Sequence, residues 1–344
     1  MTSFLKSGRS QSVALWLFAV AVLVFAMVIL GGTTRLTNSG LSITEWKPVR
    51  GAIPPLSPAQ WAAEFANYQR IPQYQLINKG MSVEAFKAIY WWEWAHRQLG
   101  RFIGFAFAIP FGVFLRRKKI PSGLIWRCWL LFGLGGLQAV VGWLMVSSGL
   151  IRDRVAVEPE MLTVHLGLAL VVFCLLIWTG LDGWFGPARP IMRPRWPWIG
   201  AALAAGVFAQ ILLGGLVAGN RAGLIYNDWP LMNGHIFPQD YWQGGLWHSL
   251  LHSQGAVQLH HRLGAYALFV AAWVIALAGK RTPWLPDMGR NLAVATAMLV
   301  TAQAILGIVT LRAGDPFYLA VVHQAFAAAV LATATAFAWR VRRP

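Results

Sequence analysis

Two short stretches of this sequence carry residues that rarely sit beside long apolar runs without a task. Glu93-Trp94-Ala95-His96-Arg97 heads one such run, and Leu259-His260-His261-Arg262-Leu263-Gly264 heads another. A carboxylate and an imidazole three residues apart share one helix face. Ionisable groups at the entry to lipid are costly enough to suggest a role. His165 and His323 stand near the start of two later apolar segments. Imidazole is neutral at physiological pH and a good nitrogen donor. Two imidazoles from facing helices of a bundle can take both axial positions of a haem iron. A lone helix-end histidine is commonly bonded to a carbonyl or water, but four at related positions on one side favour ligation.

The two stretches differ where chemistry would notice. Glu93 precedes His96 by three residues, whereas Gln258 precedes His261. A carboxylate can relay protons and stabilise positive charge, which a neutral amide does far less well. Glu93 is also spaced for an ion pair with Arg97, and the two readings are compatible. Arg97 and Arg262 suit either haem propionates or lipid phosphate. Gly100, Gly104, Gly142, Gly167, Gly264 and Gly307 admit either a flat macrocycle or close helix packing. Gln138 and Gln303 read as interhelical hydrogen-bonding amides. His248 and His252 have zinc-like spacing, but two ligands make a weak site. His235 and His260 have no repeat counterpart and read as surface or helix-end residues, with His260 the rival of His261 should the alignment slip by one.

The elements that position these residues follow from composition. Of 344 residues, 57% are hydrophobic and 12% charged, and the mean hydropathy is +0.53. That excludes an ordinary soluble domain, which carries about 25% charged residues. The expected fold is an all-α polytopic membrane protein with spans near 13–32, 93–114, 126–147, 161–182, 198–219, 257–279, 291–311 and 317–339. The second span is the least regular, because Arg97 and Arg101 occupy its first turns; they either snorkel or face an interior that supplies anions. Residues 11–34 read as a retained span rather than a cleaved leader.

The net charge of +17 points to topology more than to nucleic acid, and no nucleic-acid partner is expected. Lys6 and Arg9, Arg116 to Lys119 with Arg127, Arg189, Arg193 and Arg195, Lys280, Arg281 and Arg290, and Arg340, Arg342 and Arg343 fall on one side, with only Asp182 and Asp287 against them. The opposite short loops carry Arg152, Arg154 and Arg312. This bias puts both termini in the cytoplasm, and the long loops 33–92 and 220–256 outside with all four histidines. Cys128 and Cys174 lie in apolar runs and form no disulfide framework.

An internal repeat organises the chain. Gly31, Gly40, Trp46 and Gly51 recur 183 residues later as Gly214, Gly223, Trp229 and Gly234. His96 and Gln138 recur 165 residues later as His261 and Gln303, and His165 matches His323. Each half has an even number of spans, so the halves form a parallel repeat of two pseudo-symmetric four-helix bundles, residues 1–188 and 189–344.

The assembled motifs resemble the haem A synthase family of bacteria and mitochondria over essentially the whole chain. They are Gly31-Gly32-Thr33-Thr34-Arg35-Leu36-Thr37, Ser39-Gly40-Leu41-Ser42, Glu45-Trp46-Lys47-Pro48, Gly51-Ala52-Ile53-Pro54-Pro55 and Glu93-Trp94-Ala95-His96-Arg97. The long first external loop is most similar to the proteobacterial and mitochondrial branch. The resemblance implies an oxidoreductase that converts the C8 methyl of haem O to the formyl of haem A for cytochrome oxidase. By the same resemblance, His96 and His165 ligate the substrate haem beside an essential Glu93, and His261 and His323 hold haem b. Some members carry a cysteine pair in the first external loop; this chain has none there, so no thiol relay is expected. The implied setting is a bacterial inner membrane, with lipid around the protein. Haem O synthase, cytochrome oxidase assembly factors and further copies of the chain are the partners such a role raises. Competing readings are a b-type cytochrome that only passes electrons, which leaves the Glu93/Gln258 difference unexplained, and a transporter with two parallel repeats.

Overall fold

The computed structural model describes residues 9–151, 154–186, 195–242 and 244–343. Lys6, Arg152, Arg189 and Arg193 of the charge pattern lie outside them. Eleven α-helices follow in order among the described residues: α1 Gln11–Leu36, α2 Pro58–Gln69, α3 Pro72–Leu76, α4 Val83–Arg116, α5 Ser122–Gly149, α6 Pro159–Phe185, α7 Arg195–Gly219, α8 Leu246–Leu251, α9 Gln254–Lys280, α10 Asp287–Arg312 and α11 Phe317–Val341. Eight of them, all but α2, α3 and α8, are long and apolar enough to cross a membrane. They coincide with the eight expected spans. The fold is an all-α multi-pass membrane protein.

The largest departure is at α4. Hydropathy starts this span at 93, but the helix begins ten residues earlier, where the Ser82 side chain accepts the Ala85 N–H and satisfies an orphan donor. At 34 residues it is about 50 Å long, well beyond a hydrocarbon core of about 30 Å. Its first turns stand clear of the apolar region and carry an aromatic cluster in which Trp61, Phe65 and Tyr68 of α2 meet Phe86 and Tyr90. α2 is itself started by a reciprocal capping box between Ser57 and Gln60. The segment between α1 and α4 thus forms a small folded cap seated on α4.

The spanning helices contact one another in matching sets. In the first half α1 packs on α4 and α6, and α5 on α6; in the second α7 packs on α9 and α11, and α10 on α11. Across the halves α6 meets α7, α1 meets α11, and α6 meets α11. Small residues let these backbones approach. A Cβ at Gly200 of α7 would lie 2.9 Å from the Ala338 Cα of α11, a contact only glycine permits. At the outer end each half touches its own image: Arg35 donates to the Ala218 carbonyl, and Arg221 to Asn38 Oδ1 at 2.8 Å, both pairs 183 residues apart. A residue that contacts its own repeat equivalent lies beside a pseudo-two-fold axis, which therefore runs between the ends of α1 and α7.

At the opposite end one carboxylate ties three helices. Asp182 of α6 accepts from Arg127 of α5 at 2.5 Å, from Trp339 Nε1 at 2.9 Å, and from Arg342 and Arg343 at the end of α11. Its side chain is only 6% exposed, so removing its charge leaves three partly buried arginines without their shared anion. Asp182→Asn is expected to cost about 1–3 kcal/mol, read as a lower melting midpoint in detergent. An unchanged midpoint would show that the cluster does not join the helices.

Candidate functional site

The four histidines occupy four repeat-related seats. His96 lies on α4, His165 on α6, His261 on α9 and His323 on α11, each on a helix that meets another within its half. Each ring rests its Cε1 edge on a glycine of a neighbouring helix. A Cβ at Gly31 or Gly214 would come to 3.1 Å of the His96 or His261 ring, one at Gly142 to 2.7 Å of His165, and one at Gly307 to 2.9 Å of His323. The glycines noted in the sequence at 142 and 307 are therefore ring seats as well as packing positions.

Glutamine amides secure three of the seats. Gln138 donates to the His165 carbonyl at 3.0 Å and Gln303 to the His323 carbonyl at 3.0 Å. Gln210 of α7 donates to the His261 carbonyl at 2.8 Å and lies 3.0 Å from its Nδ1. The repeat flags Gln138 and Gln303. Gln210 has no partner in the other half and was missed; a mid-helix amide in a long apolar run was its only signal.

Glu93 is buried, 3% exposed, and every acceptor site is used. Its Oε2 accepts from the Ser42 hydroxyl and the Ile43 N–H, both at 2.8 Å, and its Oε1 from Arg97 Nε at 3.1 Å and Nη2 at 2.6 Å. Arg97 also donates to the Ile43 and Glu45 carbonyls. The second half repeats this frame: Arg262 donates to the Tyr226 and Asp228 carbonyls and to Gln258 Oε1 at 2.8 Å. The acceptors are 183 residues apart and the arginines 165, as the repeat requires. Both arginines brace the loops that follow α1 and α7 against the helix bearing a histidine. Gln258, unlike Glu93, donates to two carbonyls, Ala222 and Ile225.

The remaining histidines separate cleanly. His260 lies 2.9 Å from the Tyr241 hydroxyl, whereas the His261 ring rests on Gly214. His252 Nε2 pairs with Glu160 Oε1 of α6 at 2.8 Å, across the halves. No group of three or more His, Cys, Asp or Glu side chains placed for a metal ion occurs among the described residues, so His248 and His252 form no zinc site there. In the outer loop, burial works to raise the Asp240 carboxyl. The Gly255 N–H and the Tyr226 and Ser253 hydroxyls more than offset that, holding it below the ordinary carboxylate range. Burial lifts Asp315 above its ordinary value, against the pull of Arg35.

The sequence model of the family described as cytochrome oxidase assembly protein, COX15-CtaA, matches residues 14–335. The chain belongs to that family. It is 61% identical to a heme A synthase of Caulobacter sp. (strain K31) and 59% identical to one of Caulobacter vibrioides, each over the full length of both chains. A heme A synthase of Parvibaculum lavamentivorans is 47% identical over 98% of this chain and 95% of its own.

The seats fit a haem held between two imidazoles in each half of this family member. Nδ1 of His96, His165 and His323 is buried without a protein partner, and among the described residues only the Gln138 and Gln303 amides approach the His165 and His323 ring nitrogens, each at 3.5 Å. Glycines keep the ring edges free of side chains. A methyl at Gly142 would displace His165, and one at Gly307 would displace His323. Gly142→Ala is expected to lower the haem content attributable to the first half, and Gly307→Ala that of the second, measured by reduced-minus-oxidised spectra per mole of protein. Full haem content in both variants would contradict the seats.

Proposed function

We propose that this chain is a haem A synthase, oxidising the C8 methyl of haem O to the formyl of haem A for cytochrome c oxidase. Its relatives of that name over the whole chain support this, as do two bis-histidine seats and a carboxylate on one of them alone. The first half, residues 1–188, binds the substrate through His96 and His165. The second half, residues 189–344, holds a haem b through His261 and His323. Haem b, when bound, supplies one-electron transfer. This chain's residues then hold and orient: the imidazoles would grip the haem, and Arg97 and Arg262 fix the bracing loops and would offer positive charge to its propionates.

The observation that carries the assignment is the pair Glu93 and Gln258. The second half shows that a neutral amide suffices to join loop to helix. The first half instead rebuilds its loop, offering the Ser42 hydroxyl and the Ile43 N–H where the second offers carbonyls. The carboxylate is therefore built in, and a charge beside the seat of His96 would stabilise positive character developing on the substrate. A charge that stabilises such a cation belongs at the half that does the chemistry.

The charge pattern supports a bacterial inner-membrane setting with both termini cytoplasmic. The seats then lie near the outer surface, where a lipophilic substrate enters sideways from the bilayer. Haem O synthase and oxidase assembly factors are the partners such an enzyme exchanges haem with.

Glu93→Gln is expected to bind haem yet accumulate haem O or a hydroxylated form, with stability lowered by about 1–3 kcal/mol from mismatched donors. Ordinary haem A output would remove Glu93 from the chemistry. His261→Ala should lose the b-type spectrum, while His96→Ala should abolish turnover. Equal loss of both haems in both variants would contradict separate sites.

A further inference from the structure

Three of the four histidine seats are alike and one is an exception. Gln138, Gln210 and Gln303 each bond the backbone carbonyl of their histidine. The repeat equivalent of Gln210, 183 residues earlier, is Met27, a thioether that donates nothing. The facing helix has changed with it. A Cβ at Gly264 would collide with the Gln210 amide, so that amide requires glycine there. The equivalent of Gly264, 165 residues earlier, is Leu99. Both sides of the clamp are thus replaced around His96. The register is secure, because the same two offsets place Gly31 and Gly214 at equal distance from the His96 and His261 rings.

The seams beside these seats differ in the same sense. α9 and α10 close over small residues: Ala272, Ala276, Ala293 and Ala297 share one core and are at most 1% exposed, and Trp273 Nε1 crosses to Thr301 at 3.0 Å. α4 and α5 meet through rings instead, with Phe111 and Trp129 centroids 4.8 Å apart and those of Phe107 and Phe132 6.4 Å apart. Alanine seams open only if whole helices move. Aromatic seams open by side-chain rotation, which is far faster than helix displacement.

We propose that the loss of the amide clamp makes His96 the releasing ligand of the first half. The Met27/Leu99 pair lets the His96 segment yield its nitrogen–iron bond so that haem O enters and haem A leaves beside α4. Gln210 with Gly264 holds His261 in place and keeps the second haem resident. This inference rests on the two-site reading above. Met27, Leu99, Gln210 and Gly264 are positioning residues, acting through the histidines. Ligand release and recapture is an exchange of a nitrogen donor with no net electron transfer.

The test uses the full chain in mild detergent, loaded with haem B as the probe, and follows haem transfer to excess apomyoglobin by absorbance. Wild-type protein is expected to release haem in a fast and a slow phase. Gln210→Met should accelerate the slow phase alone, about fivefold, the worth of a hydrogen bond of about 1 kcal/mol. Met27→Gln combined with Leu99→Gly should slow the fast phase alone by a similar factor. Because that double variant alters packing, Gln210→Met stands as an independent check. Two phases in wild type that neither variant shifts selectively would overturn the clamp while leaving two haem sites. Both phases moving together would mark general loosening and also overturn it. A single phase, or no bound haem, would overturn the two-site reading and this inference with it.

Discussion

An imidazole inside an apolar helix bundle needs room for its ring and a fixed backbone, and the rest of the molecule follows from that. In hydrocarbon, side-chain polar atoms without partners are costly, and Nδ1 of His96, His165 and His323 is buried without one. Glycines on α1, α5, α7 and α10 make the room. Amides on α5, α7 and α10 fix three of the four histidine carbonyls. The surrounding helices are spaced by these demands as much as by general apolar packing, since lipid tails give no hydrophobic drive for helices to associate. The Asp182 cluster at one end and the Arg35 and Arg221 contacts at the other then lock the halves in register.

Duplication explains how one frame came to serve two chemistries. Arg97 and Arg262 make the same bonds to loops 183 residues apart, so the scaffolds are interchangeable at that level. The differences are concentrated at a few positions: Glu93 against Gln258, Met27 against Gln210, Leu99 against Gly264. All of them lie around one histidine of each half. A charge is gained and a clamp is lost at His96, while the second half keeps a neutral, fully braced seat. In the proposed reading, chemistry and exchange fall to the first half and retention to the second.

Much of this was legible in the sequence because its signals are periodic or duplicated. Spans announce themselves by length and apolarity, and the paired offsets identified His96, His165, His261, His323 and the Glu93/Gln258 contrast. The start of α4 was not legible from hydropathy, because a serine cap decides it and not the solvent. Gln210 is not legible from the repeat, because it matters through its mismatch with Met27. The loop-bracing role of Arg97 and Arg262 was hidden as well. Their acceptors are backbone carbonyls, which carry no sequence identity. The His252–Glu160 pair joins residues of different halves, a contact that no local spacing encodes.

The central claim is that one half holds a substrate haem and the other a resident one. It is tested most directly by purifying the full chain in mild detergent and identifying its extracted haems by chromatography and mass. Haem B together with haem O, haem A or a hydroxylated form is the result this account predicts. Haem B alone, unchanged when haem O is supplied, would contradict it and leave an electron carrier; no haem at all would contradict both.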